Sequence, residues 1–119
     1  MEIKRTERGW AGHFICAHMC RFRRNTMLEC GNLRIVISTV GGMKTSRGFE
    51  TIGCDRHYET MVFHAAFDGE FWDADVQREI YLSSPWSLPD LDMENEANDM
   101  HETAVGEILA RIEAGEFTP

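Results

Sequence analysis

His13, Cys16, His18 and Cys20 fall within eight residues, and Cys54 and His57 form a C-x-x-H pair. Imidazole and thiolate are what zinc takes, four at a time and at short spacings within each pair. A metal centre or small metal-dependent enzyme would draw on His13, Cys16, Cys54 and His57, with His18 and His64 nearby, and zinc is the cofactor it would hold. The pairing is imperfect. No C-x-x-C occurs, and in an extended strand His13 projects from the face opposite Cys16 and His18. Cysteine is also commonly buried with no metal at all. Ordinary thiols and hydrogen-bonded histidines are the expectation, and no cofactor is required.

A second chemistry is phosphate recognition. Arg21, Arg23 and Arg24 flank Phe22, and Arg56 lies two residues before Tyr58. Guanidinium groups interleaved with an aromatic ring can hold phosphates while a base stacks. The four arginines and Tyr58 thus form a candidate nucleotide pocket. The net charge of −8 argues against general binding to duplex nucleic acid, whose affinity is dominated by phosphate contacts.

Carboxylates supply the third. Asp73 and Asp75 share one face of an extended segment, a spacing suited to metal binding or acid–base work. Nothing completes a hydrolase around them: there is no P-loop, no G-x-S-x-G and no H-E-x-x-H. His101 and Glu102 are adjacent, but neighbours on a helix point about 100° apart and make no ready dyad. Glu94, Glu96, Asp99 and Glu102 belong to a longer acidic stretch that contains a single arginine. Solubility asks for mixed signs, so this excess reads as a surface for a cationic partner.

The elements that must position these groups follow from periodicity. Residues 10–19 alternate well enough for a strand, and 33–40 form the clearest one, β-branched and stopped at Gly41 and Gly42. Residues 21–29 lead to a turn at 30–32, and 41–48 form a basic loop. Short and long strands are expected at 49–53, 57–67 and 71–82, the last ended by Pro85 and Pro89. Ala97, Met100, Ala104, Val105, Ile108, Leu109 and Ile112 recur at helical spacing, with Asp90 or Asp92 as cap and Gly115 as terminator. The expectation is one α+β domain over 1–119: an antiparallel sheet of five to six strands with a C-terminal helix packed on it.

Charge is segregated along the chain. Residues 1–60 carry about +4 and residues 61–119 about −12. Apolar residues make up 43% of the chain, enough for a folded core, and no run approaches the length of a membrane span. The first residues lack the apolar core of a signal peptide, so a reducing cytoplasm is expected, where four cysteines stay thiols.

The segments Arg8–Ile15, Phe22–Thr26, Ser38–Gly41, Tyr58–Met61, Trp72–Asp75 and Ala97–His101 together resemble small proteins encoded by tailed phages and prophages. The similarity spans about residues 8 to 112. Such proteins include inhibitors of bacterial defence of the anti-CRISPR and anti-restriction type. The resemblance implies a phage accessory setting, and within it the negative C-terminal half leads to the expectation of a cytoplasmic protein that binds a bacterial defence or nucleic-acid-handling protein. Its docking surface would comprise Asp73, Asp75, Glu94, Glu96, Asp99 and Glu102. The alternatives are nucleotide sequestration by Arg21, Arg23, Arg24, Arg56 and Tyr58, or the small metal-dependent enzyme above.

Overall fold

Leu33, Ile35 and Ile37 alternate with Arg34, Val36 and Ser38, and the strand they build is the middle of the sheet. The computed structural model describes residues 2–8, 12–13 and 17–119. Its strands are β1 (Lys4–Glu7), β2 (Cys20–Cys30), β3 (Leu33–Thr45), β4 (Gly48–Glu50), β5 (Tyr58–Phe67), β6 (Trp72–Ile80) and β7 (Ser87–Leu88), followed by helix α1 (Glu94–Glu113). The order is β1-β2-β3-β5-β6, with β4 paired to the end of β3 and β7 to the start of β5. Every pairing is antiparallel. The class is α+β, and among the described residues the sheet has seven strands rather than five or six.

Two local expectations are corrected. Residues 21–29 are not an approach to a turn but the body of β2, eleven residues long. Their arginines disguised the strand, because polar side chains on both faces break the apolar alternation. Gly41 and Gly42 do not stop β3, which runs on to Thr45. A Cβ on Gly41 would lie 2.2 Å from the Tyr58 ring and 2.3 Å from the His57 carbonyl oxygen, so only glycine fits between β3 and β5 there. Gly42 has φ 64°, the left-handed region that glycine enters at no cost. The strand expected over 10–19 lies largely outside the described residues, and Ala17–Met19 form a short 3-10 turn.

Helix α1 covers one face. Ala104, Val105, Ile108 and Ile112 pack on Leu28, Leu33, Ile35, Ile37, Val62 and Ile80, all buried. Burying one such side chain contributes about 1.5–3 kcal/mol, so this cluster is the main source of stability. Near the helix start, Ala97 and Met100 pack on Tyr58, whose hydroxyl donates to the Leu91 carbonyl. The opposite face holds Met27, Val36 and Ala65, with Trp72 and Ala74 alongside. Neither Asp90 nor Asp92 caps the helix: the N-cap is Met93, with no side-chain bond, while Glu94 and Glu96 occupy the first turn. Gly115 ends it at φ 75°, as expected of a C′ glycine. Among the described residues no helix is long and apolar enough to cross a membrane.

Candidate functional site: a carboxylate face and a pocket at the sheet edge

Strand alternation sends Arg24 and Thr26 to the helix side of β2, and the β1 register sets Glu7 directly opposite Thr26. The acidic helix meets these groups from above. Glu102 accepts from Arg5 and Arg24, each at 2.7 Å, and Arg24 also reaches Glu7 at 3.0 Å. Hydrogen bonding from Arg5, ahead of the opposing cost of burial, holds the Glu102 carboxyl down at about 2.

One residue earlier the helix turns inward. His101 is fully buried, its Nε2 2.7 Å from Thr26 Oγ1 and its Nδ1 2.7 Å from Thr39 Oγ1. The Thr26 hydroxyl donates to Glu7, so it has only an acceptor left for His101. Nε2 therefore carries the proton, and Nδ1 accepts from Thr39, whose oxygen in turn takes the Thr60 proton across 2.6 Å. Burial, reinforced by the Arg24 charge, pushes His101 down to about 4, so it is neutral near pH 7.

On the other face a second polar chain ties His13 to the sheet. His13 Nδ1 lies 2.9 Å from Ser38 Oγ and its Nε2 2.8 Å from Glu59 Oε1. Arg56 donates to the other Glu59 oxygen at 2.7 Å. Burial works to raise the Glu59 carboxyl, but the bonds from His13 and Arg56 outweigh it and lower it. The Ser–His–Glu connectivity is that of a hydrolytic triad. The placement is not, because Ser38 is fully buried within β3 and its oxygen also accepts the His13 backbone N–H. The chain is a buried clamp.

Glu59 and Arg56 lead to a pocket of about 290 Å³ where β6 departs from β5 and the chain returns as β7. Met61, Ile80, Leu82, Tyr81 and Trp86 give it apolar walls, and Glu79 adds a carboxylate. The Arg56 guanidinium stands 5.2 Å from the Trp86 ring centre. The 81–86 wall is held from outside: Arg111 donates to the Tyr81 carbonyl, Glu107 accepts the Ser83 and Ser84 amides, and the Thr60 amide donates to the Trp86 carbonyl. The pocket is therefore shaped before anything enters it.

The expected sites are only partly assembled. Arg21, Arg23, Arg24, Arg56 and Tyr58 do not converge, which corrects the nucleotide-pocket expectation. Arg21 pairs with Glu94 and lies over Phe49, Arg24 is engaged by Glu7 and Glu102, and Arg56 by Glu59. Arg23 follows Arg24 along the strand and so faces the other way. The Tyr58 ring is wholly buried against Phe22 and Gly41 and offers no face for a base. The zinc set does not form among the described residues, which contain no group of three or more His, Cys, Asp or Glu placed to hold a metal. His13 is engaged in the clamp, Cys54 is exposed, and His57 Nδ1 is buried without a hydrogen-bond partner. Cys16 lies outside the described residues.

The acidic set divides. Asp73 is paired with Arg8, Glu94 with Arg21, and Glu102 with Arg5 and Arg24. Asp73 and Asp75 also accept the Ala74 and Gln77 backbone amides of β6, the outermost strand. Glu96 and Asp99 keep their carboxylates exposed with no ion pair to any described residue, as do Asp90, Asp92 and Glu113.

No family model, curated protein or solved structure matches this chain. Its reading rests on its own geometry. That geometry singles out Glu59, Ser38 and Glu79, which the sequence did not mark. Ser38 and Glu59 lie 25 and 46 residues from His13, and only the sheet register brings the three together. A lone glutamate amid a hydrophobic strand was the one available signal for Glu59.

Proposed function

We propose that this protein is a binding module that covers a cationic surface of a nucleic-acid-handling partner with its acidic helix. The observation that carries this reading is the carboxylate surplus left once the arginines have been matched. Asp90, Asp92, Glu96, Asp99 and Glu113 stand along the approach and outer side of α1 with no cation beside them among the described residues. Unmatched charge of one sign on a rigid helix costs self-repulsion, and it steers and orients a partner of opposite sign. The narrower form of the proposal is a phage-type accessory protein that inhibits a bacterial defence protein, as an anti-CRISPR protein does. Occlusion needs no active site, which suits a fold whose triad-like chain is sealed.

Immobilised wild type and an E96K/D99K variant, exposed to the same bacterial lysate at low and moderate salt, test the reading. A nucleic-acid-handling protein retained by wild type, lost from the variant and released by DNA competitor is the expected result. Retention of that protein by both forms, unchanged by salt, refutes it.

A further inference from the structure

The preformed pocket beside β5 carries more charge information than the outer helix does. Its charged lining groups are one guanidinium and two carboxylates. Arg56 is paired with Glu59 at 2.7 Å and with Asp55 at 3.4 Å, and its guanidinium carbon stands 5.2 Å from the Trp86 ring centre. Glu79 has no ion pair with any described residue, although it is half-buried beside Tyr81. The pocket thus has an apolar interior and an excess of negative charge at one wall. An anionic guest would have to lie against Glu79 and Glu59, and a neutral apolar guest would bury the Glu79 carboxylate without compensation.

We propose that this pocket receives a cationic side chain with an aliphatic stem, an arginine or lysine of a partner protein. Met61, Ile80 and Leu82 take the stem, Glu79 takes the charge, and the exposed rings of Tyr81 and Trp86 flank the entrance. A volume of about 290 Å³ sits at the lower limit of ligand pockets, which suits one side chain rather than a cofactor. Because Glu107 and Arg111 already fix the 81–86 wall, little ordering opposes entry. The inference rests on the docking reading above and supplies it with an anchor residue.

The test uses small probes on the whole protein: n-butylguanidinium, n-butylammonium, n-butanol and butyrate, followed by amide and indole NMR shifts. The two cations are expected to shift residues 79–82 and the Trp86 indole, with Kd on the order of 1 mM, and Glu79→Gln to weaken them about threefold to fivefold. Butanol and butyrate should bind more weakly than either cation. Equal or tighter binding of butyrate, cation binding indifferent to Glu79→Gln, or no shift at 50 mM probe overturns the proposal. The E96K/D99K variant separates the two claims. Cation binding retained there while partner capture is lost supports the pocket, whereas partner capture by wild type with no cation binding refutes the pocket alone.

Discussion

Replacing His101 by glutamine should remove most of the protein's sensitivity to mild acid. The imidazole is sealed between Thr26 and Thr39, and burial together with the Arg24 and Arg5 charges disfavours its protonation. Glu7 and Glu102 offset those charges in part, yet the ring's folded-state value falls from 6.5 to about 4. The unfolded chain therefore binds a proton first. Stability from this group is complete above about pH 6.5 and is lost as pH falls towards about 4. The full interval corresponds to about 3 kcal/mol, of which about 2 kcal/mol is gone by pH 5. The paired carboxylates act below this window, since their ordinary value of 4.5 is lowered in the fold. Urea denaturation of wild type at pH 7.5 and pH 5 should thus show a loss of about 2 kcal/mol. Glutamine at 101 can accept from Thr39 and donate to Thr26 without titrating, so H101Q should lose far less over the same interval. Equal losses in the two proteins, or an NMR titration of the His101 ring near pH 6.5, would refute the reasoning.

Two further outcomes follow from the packing. Gly41→Ala places a methyl against both the Tyr58 ring and the His57 carbonyl, and because one neighbour is backbone it cannot swing aside. We expect a loss of about 3 kcal/mol, read as a lowered urea midpoint, whereas Gly31→Ala has open space and pays only for its positive φ. Glu59→Gln removes the charge on which Arg56 and His13 converge and turns an N–H toward one of their donors. That should cost about 3 kcal/mol and lower the melting midpoint by roughly 10 °C, and a shift under 2 °C would show the clamp contributes little.

The parts of the molecule visible in the sequence are those in which one side chain suffices to mark a face. Ala97, Met100, Ala104, Val105, Ile108 and Ile112 all lie on the buried side of α1, and Leu33 to Val40 form the sheet's central strand. The strand at 58–67 and the one at 72–80 fall within two residues of their expected ends. What stayed hidden depends on pairing between distant segments. β2 could not be recognised because Arg24 and Thr26 are polar yet face the helix, where Glu7, Glu102 and His101 receive them. The acidic stretch was legible as composition, but not which carboxylates would be consumed. Arg5 and Arg24 take Glu102 while Asp99, three positions earlier, is left outward, and only the docking angle of the helix decides between them. His13 was noticed for the wrong neighbours: its partners came from β3 and β5 instead of nearby cysteines.

Strand β6, at one edge of the sheet, has a bearing on how the molecule behaves at high concentration. A nine-residue border with exposed Val76 beside it is the kind of template on which identical chains stack into fibrils. Asp73 and Asp75 fold back onto the amides of Ala74 and Gln77, so two rungs that an incoming copy would need are already occupied by its own carboxylates. These aspartates act as gatekeepers against accretion, and neutralising them would leave a border ready to propagate.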